Sequence, residues 1–290
     1  MEVISIVIST YDDPINFVSQ CLNSLLHQKR VDEIIVVDSS KKDDIKSLCH
    51  SLGSDKINYI YTPPKGLSDA RNKGINIARN DIIAFTDADC IVDKNWAENI
   101  YISFDERKNN EDMVAIVGGK VLPKWISKPN RILYYSSIAQ GFYSLFDMGD
   151  KLKEVDQIFG ANFAIDRNLI TGYFSKDLGR KKENLLCGEE TKLCKQTKEN
   201  KLKIIYNPLA IVWHQIPEER SKFKWIWKRI YYGGISRALV GGKPTPKTVD
   251  SFSYNLYDGI FLAIFIIPYT YGFLKARFEN GKFFRREGNV

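Results

Sequence analysis

Four apolar, mostly β-branched runs alternate with helical patterns near the start of this chain, and three of them end in acids or hydroxyls. They are Val3-Ile4-Ser5-Ile6-Val7-Ile8, Glu33-Ile34-Ile35-Val36-Val37, Ile57 to Tyr61, and Asp81-Ile82-Ile83-Ala84-Phe85-Thr86. Runs of this kind are strands buried on both faces. Between the first two, Val18, Cys21, Leu22, Leu25 and Leu26 share one helical face, with Asp13 as a candidate N-cap and Pro14 in the first position. A short helix around Ile45 to Leu52 follows the second strand. Another opens at Gly66-Leu67-Ser68 and carries Ala70, Arg71, Ile75 and Ala78. The alternation predicts an α/β fold with a mostly parallel sheet and helices on both faces. Right-handed crossovers then bring Thr10 to Asp12, Asp38, and Asp87 with Asp89 to one edge, where open α/β sheets bind ligands.

The chemistry of that edge turns on Asp87-Ala88-Asp89. Two carboxylates flanking one small residue can hold a divalent cation and a polyphosphate together, and hard oxygen donors suit Mg²⁺ or Mn²⁺. An isolated Asp-x-Asp also marks solvated turns; its place after a buried strand sets this one apart. No Gly-x-Gly-x-x-Gly follows the first strand, and Gly118-Gly119-Lys120 is too short for a phosphate loop. A bridging metal would therefore have to neutralise the phosphates. From Val114 to Tyr206 the alternation is less regular. Phe159 to Ile165 reads as a turn feeding a strand, and Gly188-Glu189-Glu190-Thr191 opens a helix running to about Lys198. Acids in a first helical turn are favoured by the helix dipole, so a plain helix start accounts for that pair equally simply. Val212-Trp213-His214 ends a strand-like run.

Composition is that of a globular protein, 44% apolar and 27% charged over 290 residues. The five cysteines fit no zinc or disulfide spacing and read as packed, reduced thiols of an intracellular protein. No signal-peptide pattern precedes the first strand. Charge is uneven: residues 1–215 balance 29 Lys+Arg against 29 Asp+Glu, whereas residues 216–290 hold 13 against 6, the whole excess of +7. In that tail Phe223 to Tyr232 interleaves aromatics with basic residues, and Gly259 to Leu274 is apolar and uncharged. Sixteen helical residues reach roughly 24 Å, short of a roughly 30 Å hydrocarbon core. Pro268 is expected to interrupt them. Such a segment fits burial partway into one leaflet, or docking on the protein itself, better than it fits a full transmembrane helix. A basic–aromatic mixture also suits nucleic acid, but the apolar segment decides for a membrane and against a nucleic-acid partner.

In order, the motifs resemble those of the family 2 glycosyltransferases, which have the GT-A fold. The resemblance rests on Ile6 to Tyr11, Ile34 to Ser40, Gly66 to Asn72, Thr86 to Asp89, Gly160-Ala161-Asn162 and Gly188-Glu189-Glu190, and spans about residues 3 to 240. It implies inverting transfer from a nucleoside-diphosphate sugar to an acceptor hydroxyl. It implies Asp89 as direct ligand of Mg²⁺ or Mn²⁺, with Asp87 contacting the ribose or, through water, the metal. Asp38 would accept from the base, Thr10, Tyr11 and Asp12 would line the nucleoside pocket, and Arg71 would face the diphosphate. Gly160, Ala161 and Asn162 would form the acceptor-side loop. Where the family carries Glu-Asp this chain has Glu189-Glu190, which places Glu190 as the catalytic base, one methylene longer. Adjacent helical residues point about 100° apart, so one of the pair faces the site. His214 matches a downstream histidine near the metal; the alternative is a strand-end histidine packed beside Trp213.

The resulting expectation is a GT-A catalytic domain over 1–215 and a basic, apolar, membrane-associating extension over 216–290. The protein would be peripheral or monotopic on the cytoplasmic membrane face, acting on a glycan or lipid-linked acceptor in surface-polysaccharide, glycolipid or protein-glycan assembly. A sugar nucleotidyltransferase and a non-catalytic nucleotide-binding scaffold at a membrane are the competing functions.

Overall fold

The computed structural model describes residues 3–108, 113–170, 172–181, 184–243 and 254–287. The first part of the chain alternates as the pattern predicts. It runs β1 (Ile4–Thr10), α1 (Ile15–Leu26), β2 (Val31–Asp38), α2 (Asp44–Ser51), β3 (Ile57–Tyr61), α3 (Leu67–Ile77) and β4 (Ile82–Asp87). Next come β5 (Cys90–Val92), α4 (Trp96–Lys108), β6 (Val114–Trp125), α5 (Arg131–Tyr135), α6 (Ser137–Phe142), β7 (Lys153–Glu154) and β8 (Asn162–Asp166). The last elements are α7 (Glu189–Glu199), β9 (Lys203–Ile216), a 3₁₀ turn (Glu218–Ser221), α8 (Phe223–Leu239) and α9 (Leu256–Glu287).

Among the described residues the strands form one nine-stranded sheet in the order β3-β2-β1-β4-β8-β6-β9-β5, with β7 also on β9. β3, β2, β1 and β4 are mutually parallel. β8 runs antiparallel to β4 and β6, and β5 and β7 run antiparallel to β9. The sheet is thus mixed, its parallel half being the part that the alternation made legible. Register sets the carboxyl edge: Thr10 lies opposite Asp38, and Ser9 opposite Asp87.

The chain divides into two compact units. The first holds Met1–Lys124, Ser144–Lys176 and Glu189–Ile216; the second holds Trp125–Tyr143, Asp177–Gly188 and Pro217–Val290. The core of the first unit is the apolar sheet, with Ile6, Ile8, Ile34, Val36, Ile83 and Phe85 fully buried. Phe85 stacks on Phe163 with ring centroids 4.6 Å apart. Gly119 is needed where β6 meets β9, because a Cβ there would lie 1.9 Å from the Ala210 carbonyl oxygen.

Two local expectations are corrected. Asp13 does not cap α1, whose N-cap position is Pro14. Its carboxylate instead accepts from Thr10 Oγ1 at 3.0 Å and the Tyr11 amide at 3.1 Å, closing its own loop. Pro268 does not interrupt the apolar tail: it lies inside α9. Residues Leu256–Glu279 of that helix, 24 in number and containing an 18-residue stretch of mean hydropathy 1.6, are by length and composition long and apolar enough to cross a membrane.

In the second unit α8 and α9 pack closely. Phe261, Phe265, Tyr269, Phe273 and Ala276 form the buried face of α9. A Cβ on Gly234 would lie 2.0 Å from the Tyr269 carbonyl oxygen, and one on Gly272 2.2 Å from that of Tyr231. Asp258, fully buried, accepts from Ser136 Oγ, Ser137 Oγ and the amides of Ile138 and Asn255, and so ties the start of α9 to α6. Those bonds outweigh burial and hold its carboxyl below the usual carboxylate range.

Candidate functional site

The site residues gather in the first unit. At the end of β2, Asp38 is fully buried, with Oδ2 accepting from Tyr59 OH at 2.9 Å and Oδ1 from the Ser40 amide at 2.8 Å. Sequence reasoning missed both partners, although Tyr59 sits on the neighbouring strand at the register of Val36. Beside them, Asp12 has a φ of 53°, in the left-handed region. Its amide donates to Ser40 Oγ at 2.8 Å and its Oδ1 accepts from the Lys41 amide at 3.0 Å. Thr10 is buried and Tyr11 half-buried, so Thr10 to Asp12 and Asp38 to Lys41 form one bonded loop cluster.

Asp87 and Asp89 have different neighbours. Asp87 ends β4 with its side chain 34% exposed, its Oδ1 accepting from Arg71 Nη2 at 3.0 Å. Asp89 is buried, and its Oδ2 lies 3.3 Å from His214 Nε2. That meeting spans most of the chain and follows from strand pairing: β5 begins just after Asp89, and Cys90 is in register with His214 on β9. The Gln215 amide donates to the Asp89 carbonyl at 2.9 Å and fixes the same corner. Among the described residues no group of three or more His, Cys, Asp or Glu side chains could hold a metal ion. The protein offers two adjacent donors here, Asp89 and His214. Cys21 and Cys90 lie close by, but burial first and the two aspartates next push both thiols up, so they stay protonated. All five cysteines are free, as their spacing predicted.

On the other side, Arg71 projects from the buried face of α3, which also carries Ala70, Gly74 and Ile75. Nη1 donates to Glu189 Oε1 at 2.7 Å, and Nη2 donates to Asp87 Oδ1 and to the Gly160 carbonyl at 2.9 Å. Glu189 and Glu190 open α7. Glu189 is buried, Glu190 partly so, and among the described residues neither Oε2 has a hydrogen-bond partner. Burial first, and the Glu189 charge second, push the Glu190 carboxyl up to about 8, against a smaller opposing pull from Arg71.

Gly160, Ala161 and Asn162 are buried. The Ala161 carbonyl accepts from Thr86 Oγ1 at 2.9 Å. The Asn162 side chain accepts from Trp96 Nε1 at 2.7 Å and donates to the carbonyls of Lys120 and Ala210, which welds α4, β6 and β9 together. A mixed sheet flanked by helices, with acids clustered where its parallel strands end, describes a GT-A-type architecture. The glycosyl transferase family 2 profile matches residues 5–170, and the chain belongs to that family and is a glycosyltransferase.

Among its relatives is the glucosyl-dolichyl phosphate glucuronosyltransferase of Haloferax volcanii, 27% identical over 253 residues, covering 82% of this chain and 77% of that protein. The pre-mycofactocin glycosyltransferase of Mycobacterium tuberculosis is 24% identical over 226 residues, covering 77% of this chain but only 45% of its own length. In fold, the chain is similar to GalNAc-T7, solved with UDP, GalNAc and Mn²⁺. The TM-score is 0.58 and the identity 14%, with 82% of this chain and 51% of that one covered. Family membership decides for the transferase over the nucleotidyltransferase and the scaffold.

Proposed function

We propose that the protein transfers a sugar from a nucleoside-diphosphate donor to an acceptor hydroxyl with inversion, using Glu190 as base and a divalent cation on Asp89 and His214. The observation that carries this reading is the convergence in one unit of Asp87, Arg71 and Glu189, linked by bonds of 2.7 and 3.0 Å. Asp87 ends β4, and the Asp89–His214 pair follows just beyond it.

The donor set suits Mg²⁺ or Mn²⁺. An oxygen and a nitrogen 3.3 Å apart fit neighbouring positions of one coordination sphere. Such ions take few protein ligands and complete the shell with substrate phosphate and water. A cation there would supply charge neutralisation for the departing diphosphate. The chain's own residues do the rest. Asp87 orients the ribose side of the donor, and Thr10, Tyr11 and Asp12 line the nucleoside pocket. Asp38, internally bonded, shapes the floor of that pocket. Ionised Glu190 takes the proton from the acceptor hydroxyl as it attacks the anomeric carbon. Gly160 and Ala161 wall the acceptor side, with Asn162 bracing them. The decisive experiment is a screen of nucleotide sugars with and without Mn²⁺, reading hydrolysis and nucleotide binding. Metal-stimulated turnover of one donor is expected, and the absence of both turnover and binding would remove the reading.

The exposed faces of the second unit support an acceptor held at a membrane surface. Ile260, Ile264, Ile267, Tyr271, Leu274 and Phe278 line an exposed face of α9, 37% to 66% exposed. Lys222, Lys224, Lys275 and Arg277 are exposed on the same helix pair. Immersing each of these half-exposed side chains is worth about 1 kcal/mol, roughly half the value for a fully exposed one, and each basic residue near an anionic leaflet about 1 kcal/mol. Carrying α8 across the bilayer would instead bring Lys224, Lys228 and Arg229 with it, at about 2.5–3.5 kcal/mol each. The balance favours a helix pair lying in the plane of the anionic cytoplasmic leaflet. The relative that acts on a dolichyl phosphate sugar supports a lipid-linked acceptor. Ile267→Asp/Leu274→Asp is expected to weaken binding to phosphatidylglycerol vesicles by roughly 10-fold or more while sparing transfer to a soluble acceptor. Unchanged sedimentation with vesicles would exclude this face.

A further inference from the structure

The family resemblance implies that Arg71 faces the diphosphate, and the surroundings of its guanidinium support another task. The Arg71 side chain is 3% exposed, covered by the rings of Phe163 and Phe174 at 5.7 and 5.5 Å from the guanidinium carbon. Its terminal nitrogens hold three acceptors from three places in the sequence: Asp87, Gly160 and Glu189. Gly160 permits this approach, since a Cβ there would lie 3.1 Å from both Nη1 and Nη2. We infer that Arg71 is a positioning residue, one guanidinium that locks the helix start bearing Glu189 and Glu190 to the strand end bearing Asp87.

The electrostatics require such a lock. Glu189 is 4% exposed, and its second oxygen has no hydrogen-bond partner among the described residues. Without Arg71 a buried carboxylate would stand uncompensated beside Glu190, and removing one partner of a buried ion pair is far more disruptive than replacing both. The first turn of α7 would then shift, and Glu190 with it. A lysine keeps the charge but offers a single nitrogen where the fork now reaches three acceptors. The lock therefore acts first on the geometry of the base and, through Asp87, only secondarily on donor affinity.

This inference rests on Glu190 being the base, so Glu190→Gln is the control. Full transfer in that variant would overturn the base assignment and the lock together, whereas an inactive Glu190→Gln beside normal Arg71 variants would overturn the lock alone. Steady-state kinetics would use the full-length protein with the nucleotide sugar giving highest turnover, and titrations would use its nucleoside diphosphate. Arg71→Lys is expected to lower kcat roughly 100-fold, with donor KM and diphosphate affinity within about 3-fold of the parent. Arg71→Met is expected to lose more. The charge-balanced Arg71→Met/Glu189→Gln is expected to recover roughly 10-fold of that loss, together with thermal stability. A donor KM raised roughly 10-fold at unchanged kcat would make Arg71 a donor contact. Absence of recovery in the double variant would equally overturn the proposal.

Discussion

Glu190→Gln is expected to lower kcat roughly 10³-fold while leaving nucleotide binding intact, the usual range for loss of a positioned base being about 10² to 10⁴. Glutamine keeps the shape and cannot take the proton. Glu189→Gln should behave differently, destabilising the protein through Arg71 before it affects chemistry, because Glu189 rather than Glu190 holds the guanidinium. The pH profile gives a second readout. Burial raises the Glu190 carboxyl from an ordinary 4.5 to about 8. A base must be ionised, so kcat/KM should rise with pH through the neutral range towards a plateau above about 8. Stability should move the opposite way. Between about 4.5 and 8 the native state holds a proton that the unfolded chain releases, so stability falls as pH rises across that window. Glu190→Gln should therefore be more stable than the parent at pH values above the window. A flat rate profile from pH 6 to 9 would place the base elsewhere.

The second large effect is expected at Asp89. Asp89→Ala removes the buried carboxylate 3.3 Å from His214 Nε2 and leaves the imidazole as the sole protein donor of the pair. Transfer should fall at least about 10²-fold, because diphosphate departure loses its electrostatic support. Stimulation of nucleotide binding by Mn²⁺ should vanish as well. His214→Ala should retain more activity, since carboxylate, phosphate and water oxygens satisfy these cations better than nitrogen does. An Asp89→Ala protein with full Mn²⁺-stimulated transfer would end the metal reading while leaving the fold and family untouched.

Some of this was legible locally and some was not. The parallel half of the sheet could be read because each strand is a contiguous buried run, and Ile57–Tyr61 has the same bounds in sequence and structure. The start of α7 at Glu189 was legible from a glycine followed by two acids, and Gly188 takes up a positive φ of 98° there. β5 escaped notice, being three residues long and stabilised by pairing with β9 from far along the chain. The position of His214 beside Asp89 depends on that same pairing, so only motif order hinted at it. Asp13 carried the signature of a helix cap, but Thr10 and the Tyr11 amide compete for its carboxylate and win. Pro268 looked like a helix breaker, yet it removes one backbone donor in a helix already braced along its length by α8. Arg71 had a signal that could have been used: it shares the buried stripe of α3 with Ala70, Gly74 and Ile75, where a cation survives only with partners.

The way the chain threads its two units has a practical meaning for anyone trimming it. Ending the polypeptide after Ile216 would not liberate a free-standing catalyst from a detachable anchor. The shortened product would keep α6, with Phe142, yet lose Phe261 and Tyr269, whose rings sit 6.1 and 6.4 Å from it. It would also leave Leu185 and Cys187 without the buried Arg229 that bonds them, just ahead of Glu189. Expression of 1–216 is expected to yield aggregated, inactive material, whereas disarming the outer face of α9 by point substitution should yield a dispersed, working enzyme.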